Sequence, residues 1–124
     1  MLEHKHLLVI ADLESPPRDE RLIENWVSGL VVDMGMKKLI APKAKYCDMK
    51  GNRGVTCICA IETSHIVFHS WDEETPGKLQ LDVYSCALFS IHTVFDRLRE
   101  FGAMNILYKF YDRNGGFSLL EENL

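Results

Sequence analysis

The four cysteines, Cys47, Cys57, Cys59 and Cys86, include no CxxC pair. Ordinary zinc-ligand spacing is therefore absent, and five scattered histidines do not restore it. Cys57 and Cys59 stand two apart, which on a strand puts both on one face and makes a mutual disulfide geometrically poor. Their apolar neighbours read them as small core hydrophobes. Clustered basic residues are also missing. With 14 Lys and Arg against 18 Asp and Glu, the net charge is -4, which excludes a phosphate-binding surface as the main business and a nucleic acid as the expected partner. No apolar run is long enough to span a bilayer. The opening MLEHKHLLVIADLE is short and quickly followed by acids, so neither a membrane span nor a signal peptide is expected, and a cytoplasmic setting is the default. No internal repeat or low-complexity linker divides the chain, so 1–124 is expected to form one domain. Hydrophobic residues make up 47% of it, enough for a core, and disorder is expected only at the ends.

What is present mixes two periodicities. His6 to Ala11 reads as a buried strand. Ser15-Pro16-Pro17 breaks it, and proline suits the first turn of a following helix. From Arg18 to Met34 the residues Leu22, Ile23, Trp26, Val27, Leu30, Val31 and Met34 recur at three- and four-residue steps, giving one apolar helical face. Gly35 is placed to end that helix. Met36 to Pro42 reads as a short strand, and Tyr46 to Arg53 as a polar segment with a Gly51-Asn52 turn signal. Gly54 to Ile61 and Ser64 to Trp71 are consecutive strand-like runs, followed by a turn from Asp72 to Gly77. Lys78 to Tyr84 alternates Leu79, Leu81 and Val83 with Gln80, Asp82 and Tyr84, the pattern of a strand covered on one face. Leu88 to Phe101 carries Leu88, Ile91, Val94, Phe95 and Leu98 on one helical face, and Gly102 stops it. Asn105 to Tyr111 is a last strand before an acidic tail. The expected fold is α+β, a two-layer sandwich of a mainly antiparallel sheet with two helices on one face. The runs from Gly54 to Trp71 are apolar on both faces, so the other sheet face is expected to be covered, with a second subunit as a candidate.

Glu62 to Trp71 (ETSHIVFHSW) places Ser64, His65 and His69 in a run that otherwise has strand character, and Leu79 to Cys86 (LQLDVYSC) ends on a cysteine. A core strand has no packing need for such residues. Ser64 and His69 suggest a nucleophile and a base, but no GxSxG elbow surrounds Ser64. On a regular strand, residues five apart point to opposite faces. The two share a site only if Ser64 lies at a turn, which Glu62-Thr63-Ser64 allows. Two readings stand at this level, a polar hairpin corner and a reactive serine.

SHIVFHSWDE followed by LDVYSC resembles the prokaryotic S-adenosylmethionine decarboxylase family. That family carries a Ser-His pair, a His-Thr-Trp-Pro-Glu segment and an Asp-Val-Phe-Thr-Cys-Gly segment. The matching positions are Ser64-His65, His69 to Glu73, and Asp82 to Ala87, and Gly54-Val55-Thr56 matches an upstream Gly-Val-Ser. The resemblance spans nearly the whole chain. It implies a proenzyme that breaks itself between Thr63 and Ser64 and turns Ser64 into a pyruvoyl cofactor that forms a Schiff base with the substrate amine. By the same resemblance His69 assists processing by proton transfer, Thr56 positions the reacting bond, and Cys86 returns a proton to the substrate. Glu62 and His65 are further candidates near the bond, and Tyr46, Trp71 and Glu73 are candidate substrate contacts. No metal is implied. The substrate is expected to be S-adenosylmethionine, the pathway polyamine synthesis, and the assembly a homodimer of cleaved protomers.

Several positions depart from the family pattern. Thr63 stands where the family has Glu, Asp72 where it has Pro, and Ala87 where it has Gly. The loop from Met49 to Arg53 lacks the aromatic residue that family members stack on adenine, and Tyr46 is the nearest substitute. A missing stacking ring would lose roughly 1–3 kcal/mol on the scale of base stacking in nucleic-acid binders. Two alternatives follow: the same chemistry on another amino acid, such as arginine or ornithine, and an uncleaved, non-catalytic relative.

Overall fold

The computed structural model describes residues 3–123. Its elements are β1 (Lys5–Leu13), α1 (Glu20–Asp33), β2 (Lys43–Cys47), β3 (Gly54–Ile61), β4 (Ser64–Trp71), β5 (Gly77–Ser85), α2 (Ile91–Leu98) with a 3-10 turn over Arg99–Phe101, β6 (Ala103–Asp112) and β7 (Ser118–Glu122). The strands form one seven-stranded sheet in the order β2-β3-β4-β5-β1-β6-β7, and every pairing is antiparallel. The expected α+β sandwich is what the chain adopts.

Strand alternation sets which face is buried. Leu7, Val9, Ala11 and Leu13 of β1 point inward, as do Leu79, Leu81 and Val83 of β5 and Ile66 and Phe68 of β4. Both helices cover that face. The periodic residues of α1 are buried from Ile23 to Val31, while Leu22 at the stripe's margin is exposed. Trp26 packs between Phe68 and Phe101, with ring centroids 5.4 and 5.3 Å away. Its indole N–H donates to the Arg97 carbonyl at 3.0 Å, and the Arg97 guanidinium donates to the Trp26 carbonyl at 3.0 Å. This reciprocal pair braces α1 against α2, although the Arg97 Nε is buried without a partner of its own.

Helix α1 also closes one sheet edge. The outward N–H groups of Ala44 and Tyr46 on β2 donate to the carboxylates of Glu24 and Glu20, at 2.9 and 2.8 Å. An edge capped by side chains offers fewer free donors to another strand. The helix starts on Asp19, whose side chain accepts from the Arg21 and Leu22 N–H groups. It ends in a left-handed Gly35, φ 72°. Gly35 N–H donates to Val32 and Met36 N–H to Val31, at 2.9 and 3.0 Å, which is the paired bond pattern of a Schellman cap. Gly54 is needed for another reason: a Cβ there would lie 1.8 Å from the Ser70 carbonyl oxygen.

Three local expectations change. Met36 to Pro42 is not a strand; only Lys38 bridges to Ile61, and the strand that pairs with β3 is Lys43–Cys47. The N–H groups of Leu39 and Ile40 both converge on the Ala60 carbonyl, so this segment folds over the end of β3 and leaves both side chains exposed. Leu88 is exposed ahead of α2 rather than on its apolar face. The acidic tail is strand β7, paired with β6.

Gly35→Ala is expected to lower stability by about 1–2 kcal/mol, the cost of an L-residue in the left-handed region. Urea unfolding measures it, and an unchanged midpoint would show that the cap tolerates a side chain.

Candidate active site

Ile61 pairs with Ser64, so β3 and β4 are joined by only Glu62 and Thr63. Two-residue hairpins usually place positive φ within the turn. Here the turn residues do not take it, and the strain falls on the next residue. Ser64 has φ 147°, a region that a residue with a Cβ rarely adopts. Such a conformation costs on the order of 1–3 kcal/mol and persists only when its surroundings over-determine it.

Those surroundings are explicit. The Thr63 carbonyl accepts the Cys86 N–H at 2.7 Å. The Thr63 hydroxyl accepts from Ser85 Oγ at 2.9 Å and donates to Met36 Sδ at 3.4 Å. Ser85, fully buried, accepts in turn from the Ala87 N–H at 3.0 Å. Glu62 N–H donates to the Lys37 carbonyl at 2.9 Å, while its side chain is exposed. Ser64 itself pairs with Ser85 on β5. Ser64, Thr63 and Cys86 therefore meet at one corner. Ser85 and Met36 belong to that corner too. Ser85 sat inside the quoted motif, but Met36 gave no sequence signal, because the Schellman cap of α1 brings it there.

His69 is not part of that corner within one chain. It lies five residues along β4 from Ser64, about 16 Å at the rise of a strand. The inward residues of β4 are Ile66, Phe68 and Ser70, which leaves His65, Val67, His69 and Trp71 on the outer face. Thr56 is directly opposite His69, and its hydroxyl lies 2.9 Å from His69 Nδ1. Trp71 stacks on His69 with centroids 6.0 Å apart and planes at 19°, and its indole N–H donates to Asn52 Oδ1 at 2.8 Å. Thr56, His69 and Trp71 thus form a second, outer-face cluster.

A third cluster lies on the outer face nearer Ser64. His6 Nε2 is 2.5 Å from Asp82 Oδ1, and His65 Nε2 is 3.6 Å from the same oxygen. Burial opposes the Asp82 charge, but its contacts with His6 and His65 outweigh that and hold the carboxyl below its usual range. These three residues are close enough to offer ligands to one metal ion. Arg113, however, stands 3.2 Å from His6 Nδ1. A guanidinium only donates, so Nδ1 accepts and Nε2 carries the proton given to Asp82. Metal at Nε2 would move that proton to Nδ1, against Arg113, so a hydrogen-bonded charge cluster fits these residues better. Sequence reading missed His6 and Asp82, although the period-two alternation had placed Asp82 on the polar face.

Tyr46 and Glu73 stand elsewhere. Tyr46 is opposite the buried Val55, on the helix-covered side. Its hydroxyl accepts from Arg18 at 2.8 Å and donates to Asp72 Oδ1 at 3.1 Å, and Arg18 is itself 3.1 Å from Asp72 Oδ2. Tyr46 is a buttress for the residue that replaces proline, on the wrong face to stack beside His69. Glu73 accepts the Gly51 N–H with both carboxylate oxygens, at 2.8 and 2.9 Å, and so fastens the loop before β3. Cys57 and Cys59 are the core residues expected of them; burial pushes the Cys57 thiol up to about 12, far from a reactive thiolate.

A family model described as S-adenosylmethionine decarboxylase matches residues 9–114. Among solved structures, the crystal structure of the adenosylmethionine decarboxylase from Aquifex aeolicus VF5 superposes with a TM-score of 0.66. It is 22% identical, and the alignment covers 96% of this chain and 95% of that one, a likeness of fold. No curated protein sequence matches the chain. No helix among the described residues is long and apolar enough to cross a membrane.

Tyr46→Phe is expected to lower stability by about 1 kcal/mol, one net hydrogen bond, through the weakened hold on Asp72. Equal urea midpoints for the two proteins would remove Tyr46 from that role.

Proposed function

The chain belongs to the S-adenosylmethionine decarboxylase family, whose model covers most of its length, and on that premise we propose that it is a self-cleaving, pyruvoyl-dependent decarboxylase of S-adenosylmethionine. The observation that carries this reading is the strained Ser64 beside a Thr63 carbonyl that already accepts the Cys86 N–H.

Ser64 Oγ attacks the Thr63 carbonyl carbon; the C–O bond forms, the C–N bond breaks, and the hydroxyl proton passes to the released amine. Charge develops on the Thr63 oxygen, where the Cys86 N–H is in place to receive it. Strain at Ser64 favours the shift because the amide, not the ester, holds the chain in the costly conformation. Loss of the Ser64 Cα proton then expels Thr63 as a carboxylate, and water replaces the nitrogen as ammonia, leaving a pyruvoyl carbonyl at position 64. That group supplies an electrophilic carbonyl and an electron sink for decarboxylation. Cys86, next to the bond, holds a proton at Sγ for the substrate carbon.

His69 and Thr56 enter this reading through a second subunit. Within one chain they lie too far along β4 from Ser64, yet they face the open side of the sheet. That side also exposes Leu8, Ile10, Ile58 and Leu107, an apolar surface suited to a homodimer. Packed through these faces, each protomer receives the partner's His69, with Nδ1 oriented by the partner's Thr56, as the base near Ser64. The Trp71 ring stacked on His69 is the aromatic surface available to adenine, since Tyr46 is committed to Asp72. Decarboxylated S-adenosylmethionine made in this way supplies the aminopropyl donor of spermidine synthesis, with a cytoplasmic setting. The same absence of Tyr46 from the outer face favours a second reading, the same chemistry on an amino acid without adenine, such as arginine or ornithine.

Intact-protein mass spectrometry is expected to find fragments 1–63 and 64–124, the second beginning with a pyruvoyl group, and a single chain for Ser64→Ala. A wild-type chain that stays whole after long incubation favours the uncleaved relative instead. Release of labelled carbon dioxide is expected from carboxyl-labelled S-adenosylmethionine; release from arginine or ornithine alone would select the second reading.

A further inference from the structure

Thr63 is held at both of its polar ends. Its carbonyl is fixed by the Cys86 N–H, and its hydroxyl is the middle of a chain from Ala87 N–H to Ser85 Oγ, to Thr63 Oγ1, to Met36 Sδ, with Ser85 Oγ itself 3.6 Å from Met36 Sδ. Each hydroxyl in that chain accepts one hydrogen and donates one, so neither is left with an unmatched donor. The anchors come from two segments far apart in sequence: the cap of α1 supplies Met36, and the end of β5 supplies Ser85 and Cys86. Ser85 is fully buried, where a polar side chain is retained only if it is bonded. Thr63 also stands where the family pattern has glutamate, and a carboxylate in this place would meet a hydroxyl and a thioether with no cation among the groups that hold Thr63.

We propose that Ser85 and Met36 are positioning residues for self-cleavage, clamping the Thr63 side chain so that the strain of the two-residue turn falls on Ser64 and the Thr63 carbonyl stays in place for attack. This rests on the self-cleavage proposed above and adds to it the residues that aim the bond. A clamped Thr63 cannot rotate to share the strain, so Ser64 alone carries the positive φ. The clamp acts on the amide-to-ester step: it touches the residue whose carbonyl is attacked and makes no contact at the Ser64 Cα–H that breaks in the elimination. It also explains why a β-branched residue serves here, since threonine has few side-chain rotamers to lose and one of them presents the hydroxyl to both anchors.

The test is a short pulse of cell-free synthesis followed by a chase, which reads the disappearance of the full-length chain. Thr63→Val and Ser85→Ala are each expected to slow it about fivefold, the rate equivalent of one hydrogen bond. The double variant is expected to be no slower than the slower single one, because both remove the same link. Met36→Leu, which keeps the volume and loses the sulfur acceptor, slows it less, and Thr63→Ser restores most of the rate lost in Thr63→Val. Hydroxylamine, which cleaves an accumulated ester, is expected not to rescue the slow variants; rescue would put their block after the shift and overturn the assignment. The same substitutions in a Ser64→Ala chain are followed by urea unfolding. Lower stability there with wild-type chase rates would leave the chain of hydroxyls a purely structural role and overturn the clamp alone. A wild-type chain that stays intact even with hydroxylamine overturns the self-cleavage reading and the clamp together.

Discussion

The hydrogen bond from the Cys86 N–H to the Thr63 carbonyl joins two strand connections through residues that stand 23 apart in the chain. It is possible because β4 lies between β3 and β5, so that Ser64 is paired on one side with Ile61 and on the other with Ser85. The end of β5 then reaches the turn between β3 and β4, and its backbone and side chains close around Thr63. The cap of α1 completes the enclosure, since the left-handed Gly35 turns the chain so that Met36 arrives beside Thr63. Both polar ends of Thr63 are bonded in this enclosure, and the next residue, Ser64, carries the positive φ.

The two faces of the sheet have different work. The helix-covered face holds the core, with Trp26 between Phe68 and Phe101, and it anchors the turn through Ser85 and Met36. The outer face carries the titratable groups in rows across the strands. His65, Tyr84 and His6 share one row, and Thr56, His69 and Gln80 another. The helix face thus holds the Thr63 side chain, and the open face presents Thr56 and His69 about a strand's length from Ser64.

Much of this was legible in the residues. The apolar stripe of α1, the alternation of β5 and the two-residue gap between β3 and β4 follow from local periodicity, which depends on neighbours within a few positions. What was not legible has a common cause. Met36 to Pro42 carries apolar residues without burying all of them, because its backbone hydrogen bonds run to Ala60, a partner far away in sequence. Tyr46 reads as the nearest aromatic to a missing stacking ring, but the pairing of β2 with β3 turns it toward Arg18 and Asp72. His6 and Asp82 have no common motif; they meet only because β1 pairs with β5. His69 reads as a partner for Ser64, and strand regularity separates them.

By itself the sequence determined the fold class and the family, because periodicity and ordered motifs are local properties written in consecutive residues. The tertiary structure alone decided where the strain sits, which groups hold Thr63, and on which face each histidine stands. Those depend on strand order and register, where a shift of one residue would exchange the faces, and on contacts between segments that no spacing along the chain records.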